Sequence, residues 1–188
     1  MNINKCKFHV KKIFFLKLLL FIEELKMNLR KVQAVVEWST STNLTQMQFF
    51  VDFCNFYRHF IKNFSKIVHS LIQLTQKKII FEWNHACQMI FDHMKKWMTE
   101  ASILRHFDQN RKTILETDSF NYVNNDILSQ YDDEETLHLM IYYSKNLSFA
   151  ECNYEIYDKK LLAIIRAFKH WRSELKLTEL SIKMFIDH

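Results

Sequence analysis

A chain of 188 residues with no glycine and no proline lacks the two residue types that ordinarily build tight turns. At typical usage of about 7% and 5%, roughly 13 glycines and 9 prolines are expected at this length. Glycine is the default wherever φ is positive, and proline presets turns and helix starts. An all-helical chain with long connections dispenses with both most easily. A mixed chain has to turn on asparagine and aspartate, at a cost in strain. No fold requires both absences together, so the loss reads as mutational in origin.

The pattern is nonetheless mixed. In 148–171 (SFAECNYEIYDKKLLAIIRAFKHW), Ser148 and Glu151 have the spacing of a capping box. Tyr154, Tyr157, Leu161, Ile164 and Phe168 then recur every three or four residues, predicting one buried helical face. Beside them run Ile156, Lys160, Ala163 and Ala167, a row whose alanines permit close approach to a sheet. Lys160 is out of place there, unless it snorkels to solvent.

Residues 13–22 form an apolar run behind a basic start. Lys17 interrupts it, no small-residue cleavage site follows, and it is too short to span a bilayer. Two short buried strands account for it, and a membrane-associated protein is the alternative. A short helix is predicted over 31–38. A second opens at Asn43 with Gln46 as a weaker capping pair, its stripe Met47, Phe50, Cys54, Tyr57 and Ile61 flanked by Phe49, Phe53, Phe56 and Phe60. Arg58, Lys62 and Lys66 fall at the C-terminal end of that helix, where cations complement the dipole and can also meet phosphates. A third helix covers 84–99, with Cys87, Ile90, Phe91, Met94 and Met98 on its apolar side.

The period then changes. Residues 112–117 and 127–130 are strand-like, with Asn124, Asn125 and Asp126 between them as the predicted turn. Residues 137–144 make a third strand and 181–187 a fourth. Helices, a β-meander, one helix and a strand imply an α+β fold (a mixed α/β sheet) with a right-handed crossover. That crossover can bring Asp118 and Asp187, both near strand ends, to the same sheet edge. Paired strand-end carboxylates with a third from the intervening helix are how a two-metal phosphodiesterase site is built. Spacing alone leaves turn formation equally open.

Hydrophobic content of 48% and charged content of 25% are ordinary for a soluble protein. A net charge of +5 permits contact with nucleic acid. Cys6, Cys54, Cys87 and Cys152 are widely spaced, so neither a zinc ribbon nor a disulfide framework fits. Cys6 with His9 and His85 with Cys87 are metal half-sites at most, and reduced thiols in an intracellular protein are the plainer reading.

The wording of several segments is more specific. KVQAVVEWSTSTN resembles KVxAxxxWPxPxN, with Ser39 and Ser41 at the prolines. MQFFVDFCNFYRHFIKNFSKI is similar to F-L-G-x-x-N-Y-Y-R-R-F-I. ILETDSFNYVNNDILSQ resembles TDASxxAVGGVLSQ, and YSKNLSFAECNYEIYDKKLLAIIRAFKHWR resembles YSRKLSPAExNYxxxDKELLAIVxAxxxWR. FIDH corresponds to a TDH strand end. Together these resemble the polyprotein of gypsy-type long-terminal-repeat retrotransposons, from the end of the reverse transcriptase into its ribonuclease H domain.

That resemblance implies the end of a palm over 1–26, a helical thumb or connection segment over 27–80, and a C-terminally truncated ribonuclease H-like domain over 81–188. It implies RNA-directed DNA synthesis and endonucleolytic hydrolysis of RNA–DNA hybrids as the family's activities, and Mg²⁺ as the cofactor of a two-metal site. The partners it implies are an RNA–DNA hybrid or other nucleic acid, with no small-molecule substrate and no membrane. Its metal-binding carboxylates map to Asp118 and Asp187, and Lys160 stands where the family has glutamate, so the implied protein is a non-catalytic remnant. Pro to Ser, Leu or Phe (Ser39, Ser41, Leu29, Phe149), Gly to Lys, Asn or Asp (Lys17, Asn125, Asp126) and Glu to Lys (Lys160) each need only C-to-T or G-to-A changes. That single bias accounts for both missing residue types.

Overall fold

A computed structural model describes residues 10–40, 43–74 and 83–186. Asp187 and the Cys6/His9 pair lie outside these residues. Two sheets organise the chain. The first is antiparallel, in the order β1 (Lys12–Phe15), β2 (Leu18–Phe21), β3 (Glu24–Met27) and β4 (Leu104–Arg105). The apolar run 13–22 is therefore a hairpin, and no helix among the described residues is long and apolar enough to cross a membrane. Its strands are not the buried pair the run suggests. Only Leu19 is fully covered, while Phe14 and Phe15 face solvent.

Between β3 and β4 come the helices α1 (Leu29–Val36), α2 (Leu44–Asn55), α3 (Phe64–Leu74) and α4 (His85–Thr99). Asn28, Asn43 and Asn84 cap α1, α2 and α4 by accepting backbone N–H bonds from Arg30, Gln46 and Cys87. The stripe Met47, Phe50, Cys54, Tyr57 and Ile61 is buried as its spacing predicts, and so are Cys87, Phe91, Met94 and Met98 across from it. Phe50 and Phe91 meet with ring centroids 4.4 Å apart. Burial without a partner pushes the Cys54 thiol up to about 12, so it behaves as an inert hydrophobe.

The helix read as continuous through residue 61 is broken. After α2 the chain forms a 3-10 turn, Arg58–Phe60, and then Asn63 takes φ 58° before α3 starts. The three cations thus do not share one helix end. Arg58 is in the 3-10 turn, Lys62 lies in the connection, and Lys66 falls in the first turn of α3, where the dipole does not favour it.

The second sheet has the order β7-β6-β5-β8, from β5 (Thr113–Phe120), β6 (Val123–Tyr131), β7 (Leu137–Asn146) and β8 (Ile182–Ile186). β5, β6 and β7 form the expected meander, and β8 returns parallel to β5 with Ile186 opposite Thr117. Asn124, Asn125 and Asp126 are not the turn. They lie inside β6, and the two-residue turn falls at Asn121 and Tyr122, with Asn121 at φ 52°. An aspartate in the strand interior is what that misreading concealed.

The helix 148–171 is also not continuous. It divides into α5 (Phe149–Cys152), α6 (Ile156–His170) and α7 (Arg172–Leu177). The capping box is complete, with the Ser148 hydroxyl accepting from Glu151 and the Glu151 carboxylate accepting from the Ser148 N–H at 2.8 Å. Glu151 also takes Arg166 Nη2 on both oxygens, at 2.7 and 2.8 Å, tying α5 back to α6. The row that faces the sheet is Ala163 and Ala167, both fully buried, continued by Trp171. The row of large residues is not the buried face: Tyr157 is 82% exposed and Leu161 55%. Two alanines let α6 approach β5 so closely that the bulkier neighbours are carried to its flank.

Every tight connection here has had to do without glycine. Leu16 and Lys17, at φ 45° and 67°, form the β1–β2 hairpin between the paired residues Phe15 and Leu18. Positive φ at both central residues is what such a two-residue turn requires, and it favours Asn-Gly. For a residue with a Cβ the conformation costs roughly 1–2 kcal/mol. Replacing both (Leu16→Asn with Lys17→Gly) is expected to raise the urea midpoint by the equivalent of about 1–2 kcal/mol at unchanged m-value, read by circular dichroism.

Candidate functional site

The chemistry-bearing strand is β5. Leu115, Thr117 and Ser119 point to the α6 side and are buried, while Glu116 and Asp118 alternate to the opposite face. There a cleft of about 580 Å³ opens, lined by Glu116, Asp118, Asn125, Tyr142 and Phe185, with Lys62 closing it from the helical segment. Asn125 is the register partner of Asp118, and Tyr142 faces Ile127 on the next strand. Neither residue announced itself in the sequence. Only the pairing register could have found them, and the misplaced turn hid it.

The helical segment reaches the cleft through β7. Arg58 Nη2 donates to the Ser144 carbonyl at 2.5 Å, so that guanidinium is committed to the protein's own backbone. Ser65 doubles the connection: its N–H donates to Ser144 Oγ at 3.0 Å and its hydroxyl to the Ser144 carbonyl at 2.8 Å. The Ser144 hydroxyl in turn donates to Asn125 Oδ1 at 2.9 Å. Lys62 is exposed at the cleft rim, and Lys66 lies over the half-exposed Phe120 ring at 5.6 Å, beside the β5–β6 turn. Of the three cations, two are thus presented around the Asp118 strand and one is internal.

Lys160 lies half-buried on α6, one turn before Ala163 on the row that packs over β5. Asp187, the other expected carboxylate, is outside the described residues. Besides Glu116, the structure describes a carboxylate near Asp118 at Asp126, opposite Thr117 on β5 and Tyr143 on β7. It is 1% exposed, and neither carboxylate oxygen has a hydrogen-bond partner among the described residues. Thr117 Oγ1 and Arg166 Nη1 are also buried and unpartnered. Loss of water first, and then the Asp118 charge, push the Asp126 carboxyl up to about 8, against the opposing pull of Arg166. At neutral pH Asp126 is therefore a neutral acid.

Two-metal chemistry needs ionised carboxylates converging on ions held about 3.5–4 Å apart. Among the described residues no three His, Cys, Asp or Glu side chains are grouped so as to hold a metal. A protonated Asp126 and a lysine at position 160 do not supply what Asp118 would need beside it. The described residues do not fit a Mg²⁺ pair.

The comparisons with known proteins agree on the architecture. A family model for the RNase H-like domain found in reverse transcriptase matches residues 83–182. The Tf2-3 and Tf2-4 transposon polyproteins of Schizosaccharomyces pombe are each 30% identical over 187 residues, covering 100% of this chain. This chain spans 14% of the length of those relatives. A foamy viral protease-reverse transcriptase in complex with dsDNA superposes with TM-score 0.77 at 16% identity, covering 94% of this chain and 37% of that one. The same kind of protein in complex with an RNA/DNA hybrid gives TM-score 0.76 at 15% identity, over 94% and 24%. At such identities the superpositions speak for the fold.

The buried acid has a measurable signature. An aspartate released by unfolding titrates near 3.8, whereas folded Asp126 keeps its proton to about 8. Between those values the folded state binds more protons, so this group lowers stability as pH rises. The variant Asp126→Asn is expected to match the wild type near pH 4 and to exceed it by on the order of a few kcal/mol at pH 8, in chemical denaturation followed across that range.

Proposed function

Because the chain belongs to the family of RNase H-like domains found in reverse transcriptase, we propose that it is a non-catalytic remnant of a retrotransposon reverse transcriptase–ribonuclease H. On this reading it derives from a gypsy-type element. Residues 1–26 correspond to the end of the palm, 27–80 to the thumb or connection, and 81–188 to the ribonuclease H-like domain. The activities of such polyproteins, RNA-directed DNA synthesis and cleavage of the RNA strand of a hybrid, are ancestral to the chain and not its own.

The observation that carries the reading is the state of the acids around Asp118. Lys160 replaces a family glutamate, a change of two charge units on the helix that packs over β5. Asp126 occupies a family glycine position and adds a buried carboxyl that stays neutral up to about pH 8. An ion that demands near-ideal octahedral oxygen ligation tolerates neither well. A cleavage assay on an RNA–DNA hybrid with Mg²⁺ or Mn²⁺ is expected to give no product above a protein-free control. Cleavage that Asp118→Asn abolishes would overturn the proposal.

A second reading keeps a binding role. Lys62 and Lys66 remain exposed beside the cleft while Arg58 is occupied by Ser144, and proteins of similar fold are known in complex with dsDNA and with RNA/DNA hybrid. Nonspecific, steeply salt-dependent affinity for duplex or hybrid is the expected form of such binding. In fluorescence anisotropy, Lys62→Ala and Lys66→Ala should each weaken it uniformly across sequences and lower the salt slope by about 1. Absence of binding at low salt rejects this second reading and leaves the first standing.

A further inference from the structure

The seam between the helical segment and the second sheet carries a group of stacked rings, of which only Tyr143 also lines the cleft. His59, in the 3-10 turn, stacks on His170 at the C-terminal end of α6, with ring centroids 6.1 Å apart and planes inclined by 24°. His170 lies in turn on Tyr143 of β7 at 4.1 Å, with the buried Trp171 edge-on to both. His59 Nδ1 is 3.1 Å from the Tyr142 carbonyl oxygen. A carbonyl only accepts, so the neutral ring carries its proton on Nδ1 and leaves Nε2 to take up a second. Residues 59, 143 and 170, distant in sequence, are joined through these contacts.

The charges around the pair are mostly of one sign. Arg58 acts on both histidines, and Lys145 of β7 acts on His170. The opposing carboxylate is Glu174 of α7, near His170. Loss of water is the first cause that lowers the pKa of His59, with the Tyr142 carbonyl working against it and Arg58 with it. The same cause leads for His170, followed by His59 and Arg58, with Glu174 in opposition and Lys145 adding to the lowering.

We propose that His59 and His170 form an acid-sensitive latch, holding the 3-10 turn and α3 against β7 while both rings are neutral and releasing them when both are protonated. Two imidazolium rings at this separation repel each other and share Arg58 as a third cation. An undocked histidine titrates near 6.5, and docking lowers that value. Between the two values the undocked state binds more protons. Docking is therefore full above about pH 6.5 and weakens as pH falls below it.

Amide hydrogen exchange of the full chain, read by mass spectrometry at pH 7.5 and 5.0 and corrected for intrinsic rates, tests this. Peptides spanning 57–66 and 140–146 report the seam, and those spanning 113–120 the sheet interior. Seam protection is expected to fall at least tenfold at the lower pH, with the sheet interior unchanged. The double variant His59→Gln, His170→Gln should show equal protection at both pH values. Equal protection in the wild type, or an undiminished fall in the double variant, overturns the latch. Where the double variant does not fold, imidazole resonances of the wild-type chain decide: titration of both rings below 6.5, together with the seam loss, supports the latch, and titration at 6.5 or above overturns it.

Discussion

Ser144 is the point on which the arrangement turns. Its carbonyl accepts from Arg58 and from the Ser65 hydroxyl, and its own hydroxyl accepts from the Ser65 N–H while donating to Asn125. Those bonds fasten the helical segment to an edge strand and pass the connection on to the strand within. A charged donor on a carbonyl is worth more than a neutral one, and removing one partner from such a buried group leaves the others unsatisfied. The cleft exists because of this fastening. Lys62 and Asn63 roof the Asp118 strand only while Arg58 and Ser65, on either side of them, are pinned to β7.

Much of this was legible in the residue pattern, for definite reasons. The stripe from Met47 to Ile61 has a period that no strand can use, and its residues are buried whether or not the helix is continuous. The box at Ser148 and Glu151 is a local interaction and formed as spaced. The parallel return of β8 beside β5 follows from a helical crossover between two strands of one sheet. What could not be read depended on turns without glycine. Asn124, Asn125 and Asp126 have the composition of a turn and lie in a strand, because Asn121 takes the positive φ instead. The break at Asn63 was hidden in the same way. On α6 the bulkiest row suggested the buried face, but closeness of approach, not side-chain size, decided which row met the sheet.

The site was legible as a set of positions and not as an environment. Resemblance to reverse transcriptase ribonuclease H sequences points to Asp118 and Lys160 as positions. The burial of Asp126 beneath α6 could not be read that way, since it depends on register across three strands. An aspartate in the strand interior sets an ionisable group inside the sheet, where its charge is settled against Asp118 and Arg166. The 30% identity to Tf2 polyproteins runs along the whole chain, through both sheets and the helices between them.

β8 carries a different consequence. Among the described residues it is an outer strand of its sheet, with Met184 and Phe185 uncovered and Lys183 as its one charge. A strand edge with exposed apolar side chains is a template for adding further strands, and a single lysine is a thin guard against it. The concentration of the protein therefore becomes a structural variable. Where copies of the described domain meet, this edge is the place at which strand pairing between them would begin.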